Sequence, residues 1–247
     1  MAEFAVIGAG LAGISLAHQL IEAGHTCVVF EKSRGLGGRL ATRRLEHWQA
    51  DHGAQYFTAS SAAFQAEVGR WLQRGWVKPW AVTPWRLTRE QLSPSPDKRE
   101  RFVGTPNMNA MVHGLAEGIP LYRQTRIDRL EADGDRWRLW DEHGEHYGRF
   151  DAVILTAPLA QSQALLPAEV IGAAELDSQN MTPTWAVAIA FAETTGIEAD
   201  AVFVKDGIVG WAARDSAKPD RPQQHETWVM HFTAQWSANP LDASPEL

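Results

Sequence analysis

The run Gly8-Ala9-Gly10-Leu11-Ala12-Gly13 sets three glycines at the G-x-G-x-x-G spacing of a dinucleotide fingerprint. The first glycine makes a tight turn, the second lets backbone approach a pyrophosphate, and the third lets helix and strand pack closely. A helix opening here adds N–H donors and a positive dipole end for the phosphates. Glu31 ends the next expected strand, close to the ~20-residue offset at which an acidic side chain meets a ribose. Its carboxylate can accept both ribose hydroxyls and would repel a 2′-phosphate, so NADP is disfavoured in this first site while FAD and NAD both fit. Directly after it, Lys32-Ser33-Arg34-Gly35-Leu36-Gly37-Gly38-Arg39 pairs two glycines with an arginine. That arrangement lets backbone lie along an extended dinucleotide while the Arg39 guanidinium meets phosphate.

Other chemistries find little purchase. There is no Gly-x-Ser-x-Gly elbow, no paired-carboxylate motif and no His-Glu-x-x-His. His143 and His146 flank an expected turn without a third ligand, so no metal is expected. The single cysteine, Cys27, excludes an internal disulfide and any multi-cysteine metal site; it reads as a small buried hydrophobe in a reducing, cytoplasmic compartment. A formal charge of −7 has the wrong sign for a protein that neutralises nucleic-acid phosphates. Glu3 stands where a signal peptide wants positive charge, and the apolar stretch after it stops at Gly8. The longest apolar run, residues 185–192, falls well short of the ~20 needed to span a bilayer, so no membrane partner is expected. Oligomeric state is left open.

The elements that must carry these residues start with strand 3–7, the glycine turn, a helical period through Leu11, Ile14, Ala17 and Leu20, a stop at Gly24, and strand 26–30. Strand, crossover helix, strand requires a parallel sheet. Residues 33–44 read as a long ordered loop or short helix start, 60–74 as an amphipathic helix closed by Gly75, and 107–118 as a second helix. The prolines of 92–97 force an extended excursion. Asp133-Gly134 and His143-Gly144 separate three alternating segments, 125–132, 136–142 and 146–150, into a meander. The continuous apolar strand 151–156 is of the kind buried inside a parallel sheet. A helix at 161–166 and strands at 184–192, 201–204, 208–214 and 227–232 complete the pattern. The expectation is an α/β fold: a Rossmann-like domain from 1–70 and 98–160, with the three-stranded meander, and a smaller, mainly antiparallel substrate domain from 71–97 and 161–247.

Gly37-Gly38-Arg39 resembles the Gly-Gly-Arg signature of the flavin amine oxidase superfamily. With Asp51-His-Gly-Ala-Gln-Tyr-Phe57, residues 92–97, Thr182-Pro-Thr-Trp-Ala-Val187 and Trp211-Ala-Ala-Arg-Asp-Ser-Ala-Lys-Pro219, the chain up to about residue 243 resembles the bacterial renalases. The resemblance implies bound FAD and oxidation of dihydronicotinamides reduced at the wrong ring carbon, which become NAD(P)+ as O2 becomes hydrogen peroxide. It implies cofactor contacts at Gly8, Gly10, Leu11, Ala12, Gly13, Glu31, Lys32, Gly38, Arg39, Gly53, Ala54, Gln55, Tyr56, Ile127, Ala157 and Pro158. On the substrate side it implies Gln55, Tyr56, Trp185, Arg214 and His231. Such hydride transfer needs positioning more than acid–base machinery. The superfamily also closes its FAD site with a C-terminal Gly-Asp strand and helix. Here the last glycine is Gly210, so a shortened chain is the expectation. Two alternatives stand beside this reading: an amine oxidase on the same scaffold, and a dinucleotide-binding remnant without turnover.

Overall fold

The computed structural model describes residues 1–167, 170, 172 and 181–239. Packing groups the chain into two compact units, Met1–Arg39 with Val112–Met181 and Leu40–Met111 with Thr182–Leu247.

In the first unit, strand Glu3–Ile7 pairs in parallel with Thr26–Glu31 on one side and Ala152–Leu155 on the other, and Leu121–Arg123 extends the sheet beyond Thr26–Glu31. Ala5, Val6 and Val29 are fully buried in it. Helix Leu11–Glu22 buries Gly13, Ile14 and Ala17, and the chain leaves it through Gly24 at φ +85°. The meander forms from Ile127–Asp133, Arg136–Asp141 and His146–Phe150. Its inner side chains Ile127, Leu130, Leu139 and Phe150 meet Ala5, Ile7 and Phe30 in one apolar core. Two expectations change here. Strand Ala152–Leu155 is an edge among the described residues, pairing only with Glu3–Ile7. The short strand Leu121–Arg123 takes a place for which three residues carry no readable period.

In the second unit a six-stranded sheet runs in the spatial order Ala186–Phe191, Glu226–Phe232, Val209–Arg214, Ala201–Val204, Trp85–Leu87, Leu92–Pro94. Every pairing is antiparallel except that of Ala201–Val204 with Trp85–Leu87. Pro94 lies on the edge strand, where a missing N–H costs no ladder bond. Trp80, Val103, Met108, Ala201, Trp211 and Ala213 form the core. Helix Ala62–Gln73 is capped by Ser61, whose hydroxyl accepts from Phe64 N at 3.3 Å.

The boundaries differ from those expected. Residues 40–70 and 98–111 belong with the antiparallel sheet, because the hairpin Thr42–Arg44 with Gln49–Asp51 anchors there through Asp51. Residues 161–167 stay with the first unit, where Leu165 packs on the meander core. The unit that carries the antiparallel sheet is therefore the larger, not the smaller. The helix expected over 107–118 shortens to Ala110–Leu115, since the Met108 amide donates to Asp51 Oδ1 at 3.1 Å instead of opening a helical turn. Among the described residues no helix is long and apolar enough to cross a membrane.

Candidate functional site

The fingerprint turn is built as a cradle in the first unit. Gly8 adopts φ +110°, and its N–H donates to Phe30 O at 2.8 Å, tying the turn to the neighbouring strand. A Cβ on Gly13 would lie 2.0 Å from Gly8 O and 2.6 Å from Thr156 Oγ1, so helix and turn are in contact there without room for a methyl group. A Cβ on Gly10 would meet nothing within 4 Å. The two glycines thus do opposite things: one permits packing and the other leaves a face open. Helix Leu11–Glu22 starts at Gly10 with no side-chain cap, leaving its first turn to a ligand's phosphates. Thr156 closes the turn from behind, its hydroxyl donating to Ile7 O and sharing Gly8 O, each at 3.0 Å.

Glu31 is buried, 8% exposed, and accepts from Ala9 N at 2.9 Å and Ser33 N at 2.7 Å. Each carboxylate oxygen keeps a second lone pair, enough for two ribose hydroxyls. The double-glycine loop docks on the same turn: Gly37 N donates to Ala9 O at 2.9 Å, and Gly38 approaches Gly10. Arg39 follows, exposed and without an ion pair to any described residue. Lys32 donates to Gln161 Oε1 at 2.9 Å, Ala157 stands against Gly8, and Pro158 opens helix Leu159–Leu165. Ile127 points into the meander core, so only its backbone could meet a ligand.

The second unit gathers most of the remaining residues. Tyr56 is half-buried, its ring 5.5 Å from Trp211 and 6.3 Å from Trp80, with the Arg101 guanidinium 5.1 Å above it. Asp97 holds Arg101 by a two-pronged pair at 2.9 and 2.7 Å, and that bond draws its own carboxyl down to about 2. His231 faces Trp211 across the strands, and its Nε2 lies 3.0 Å from His52 O, donating in that tautomer. Burial lowers the His231 imidazole below its ordinary value, and burial with Arg43 does the same for His52. Trp185 immediately precedes the strand in which Ala186 pairs His231. Gly53 and Ala54 occupy the segment before Gln55. Arg214 is not brought to this group: Asp200, Glu226 and the Ile197 carbonyl engage its guanidinium over the Trp228 ring.

Against the Gln55 side chain lies a cluster that sequence reasoning missed. Asp51 and Asp215 are fully buried, with Lys218 and Arg221 nearly so. Lys218 Nζ lies 2.6 Å from Asp215 Oδ1, 3.1 Å from Gln55 Oε1 and 3.5 Å from Asp51 Oδ2. Arg221 reaches Asp51 Oδ2 at 2.6 Å and Pro106 O at 2.7 Å. Asp51 Oδ1 also accepts from Thr42 at 2.6 Å. Burial pushes the Asp51 carboxyl up, but Lys218, Arg221 and these hydrogen bonds outweigh it and hold it below the ordinary range. For Asp215 burial prevails, so that carboxyl is raised. The i, i+3 pair Asp215 and Lys218 beside Pro219 was the one local signal of the cluster.

Residues 91–230 match the family model described as flavin containing amine oxidoreductase, and residues 6–73 match an NAD(P)-binding Rossmann-like domain. The chain belongs to the flavin-containing amine oxidoreductase family. An L-amino-acid oxidase of Sistrurus catenatus edwardsii is 46% identical over 48 residues, 19% of this chain and 9% of that protein. The matched stretch is thus about a tenth of that relative's length. The cyclohexylamine oxidase of Brevibacterium oxydans superposes with a TM-score of 0.75 at 13% identity, over 99% of this chain and 78% of that one. A fatty acid isomerase from P. acnes does so at 0.73 and 13%, over 94% and 76%. At such identities the likeness establishes the fold. FAD is the family's cofactor, and the cradle fits it: an open face at Gly10, an uncapped helix start, a buried carboxylate with lone pairs to spare and an exposed Arg39 without an ion pair among the described residues.

Proposed function

We propose that this chain is an FAD-dependent oxidase of renalase type, oxidising dihydronicotinamides reduced at the wrong ring carbon to NAD(P)+ with O2 giving hydrogen peroxide. The observation that carries the reading is the state of the charged groups behind Gln55. Lys218, Asp51, Asp215 and Arg221 are engaged by one another, and burial lowers the His231 imidazole, so the segment offers aromatic surface rather than a free strong base. A dihydropyridine suits such a surface, because regaining aromaticity drives its hydride out without acid–base help. FAD held in the cradle of Gly10, Glu31 and Arg39 would supply the hydride acceptor and the route of the electrons to O2.

The chain's own residues bind and orient. Glu31 holds the ribose, the Gly10 face and helix start take the pyrophosphate, and Arg39 adds charge to it. Gln55 and Tyr56, with Trp185 and His231, are proposed to position the reacting ring. Arg214 acts at one remove by fixing its strand. A cytoplasmic location belongs to the same proposal and is supported by the lone thiol.

A second reading, an amine oxidase, is favoured by the family match and by the neutral His231 imidazole, which could accept a proton from an ammonium substrate. One experiment separates the readings. Protein carrying FAD is mixed anaerobically with borohydride-reduced NAD, which contains the 2- and 6-dihydro isomers, or with cyclohexylamine or putrescine. Bleaching of the flavin by the dihydro isomers, and peroxide on admitting air, supports the proposal. Bleaching by the amines alone establishes the second reading, and protein that retains no flavin after reconstitution leaves only a dinucleotide-binding remnant.

A further inference from the structure

The segment between Asp51 and Phe57 has no regular secondary structure, yet it carries His52, Gly53, Ala54, Gln55 and Tyr56. Three points hold it. Phe57 exchanges backbone hydrogen bonds with Phe102, 2.9 Å each way, and Asp51 anchors the other end. Between them sits the Gln55 side chain, 5% exposed, whose amide donates to the carbonyls of Asp51 and Gly53 and accepts from Lys218 Nζ at 3.1 Å. These partners admit one orientation only. The two carbonyls can only accept and an ammonium can only donate, so the amide oxygen must face Lys218 and the NH2 must face the backbone. The ammonium's three protons have three recipients, Asp215, Gln55 and Asp51.

We propose that Lys218 is a positioning residue for the oxidation: clamped between Asp215 and Asp51, it fixes the Gln55 amide and thereby the Gly53–Tyr56 backbone that presents the Tyr56 ring. The inference rests on the reading that this segment meets the substrate. Stability alone accounts poorly for such a cluster, since a buried ion pair replaced by well-packed apolar side chains is often neutral or stabilising. Holding one geometry is what the pair adds. Because a misplacement of about 1 Å can cost a hundredfold in rate, the effect should be visible in turnover.

The test uses the full chain with FAD and the variant Lys218→Met/Asp215→Leu, which removes one ion pair and leaves the Asp51–Arg221 pair balanced. The expected result has three parts: a melting temperature at or above that of the parent, rapid hydrogen exchange of the Gln55 side-chain amide by NMR in the FAD-free protein, and a roughly ten- to hundredfold slower flavin reduction per bound flavin at saturating borohydride-reduced NAD. A merely structural role would lower the melting temperature and leave the rate per bound flavin alone. Gln55→Leu removes the amide without disturbing the charges and should slow reduction to the same degree, with no further loss when combined with the double variant. Unchanged rate and unchanged amide exchange in the double variant, or a parental rate in Gln55→Leu should the double variant not fold, overturn the inference. Tyr56→Leu tests the underlying reading separately. If it reduces at the parental rate, the segment is not at the site and both fall; if it is slow while Lys218→Met/Asp215→Leu and Gln55→Leu are not, the inference alone falls.

Discussion

The Glu31 carboxylate has two duties in the proposed reading: it braces the fingerprint turn through the amides of Ala9 and Ser33, and its remaining lone pairs are left for a cofactor's ribose. Truncation therefore costs more than cofactor affinity. Glu31→Ala leaves two N–H groups without their acceptor and should destabilise the fold by about 1–3 kcal/mol in a urea titration, where an exposed strand-end residue would have cost little. Glu31→Gln keeps the shape and loses the charge. One of the two amides, Ala9 or Ser33, then meets an NH2 that cannot accept, so we expect part of the stability loss of Glu31→Ala together with FAD weakened about ten- to a hundredfold by fluorescence titration, the equivalent of roughly 1.5–3 kcal/mol for a charge-assisted bond. Arg39 is the complementary case, exposed and without an ion pair among the described residues, directly after the glycine pair docked on the turn. Arg39→Ala should lower flavin occupancy after purification more than Arg44→Ala, with no change in melting temperature for either; equal losses would point to a diffuse basic loop.

At the scale of the element, Gly10 and Gly13 sit on one turn and answer different constraints. Gly10 has φ −76°, which alanine adopts freely, and its methyl group would enter open space. Gly10→Ala should therefore melt like the parent and fail to retain FAD. Gly13→Ala drives a methyl group against Gly8 O and Thr156 Oγ1 and should destabilise by about 1–3 kcal/mol or more, as overpacking does, seen in thermal melts of the FAD-free chain. The turn was legible in the sequence because its chemistry is contiguous: glycines, helix start and acidic residue all lie within the first βαβ unit. The meander was legible for the same reason, its turns marked by Asp-Gly and His-Gly. The cluster against Gln55 was not, because Asp51 and Gln55 meet Asp215, Lys218 and Arg221 only through folding, and isolated charges carry no period. The three-residue strand Leu121–Arg123 is likewise set by a partner far away in the chain, Thr26–Glu31.

Across the whole molecule, acidity should matter through the two lowered histidines. His52 and His231 both resist protonation in the folded state, chiefly because burial disfavours the imidazolium. A group whose folded value is depressed binds its proton more readily when unfolded. The stability tied to their neutral forms is therefore complete above about pH 6.5, the ordinary histidine value, and is lost as pH falls from there through the folded values. Urea titrations at pH 7.5 and pH 5.5 should show the fall, and His231→Gln should diminish it. A pH-independent midpoint in the parent across that interval would remove both imidazoles from the account.

Cys27 is the second residue of strand Thr26–Glu31, 1% exposed, and burial pushes its thiol up to about 11. At pH 8 only about one molecule in a thousand would carry the thiolate, the form that reacts with electrophiles. The chain's only sulfhydryl is thus insulated from the peroxide an oxidase releases. It is also a built-in clock, since an alkylating reagent such as iodoacetamide can reach it only when the central parallel strands part. The labelling rate of the native protein therefore times the opening of the dinucleotide half by itself. Added FAD should slow that clock in proportion to how tightly the cradle holds it.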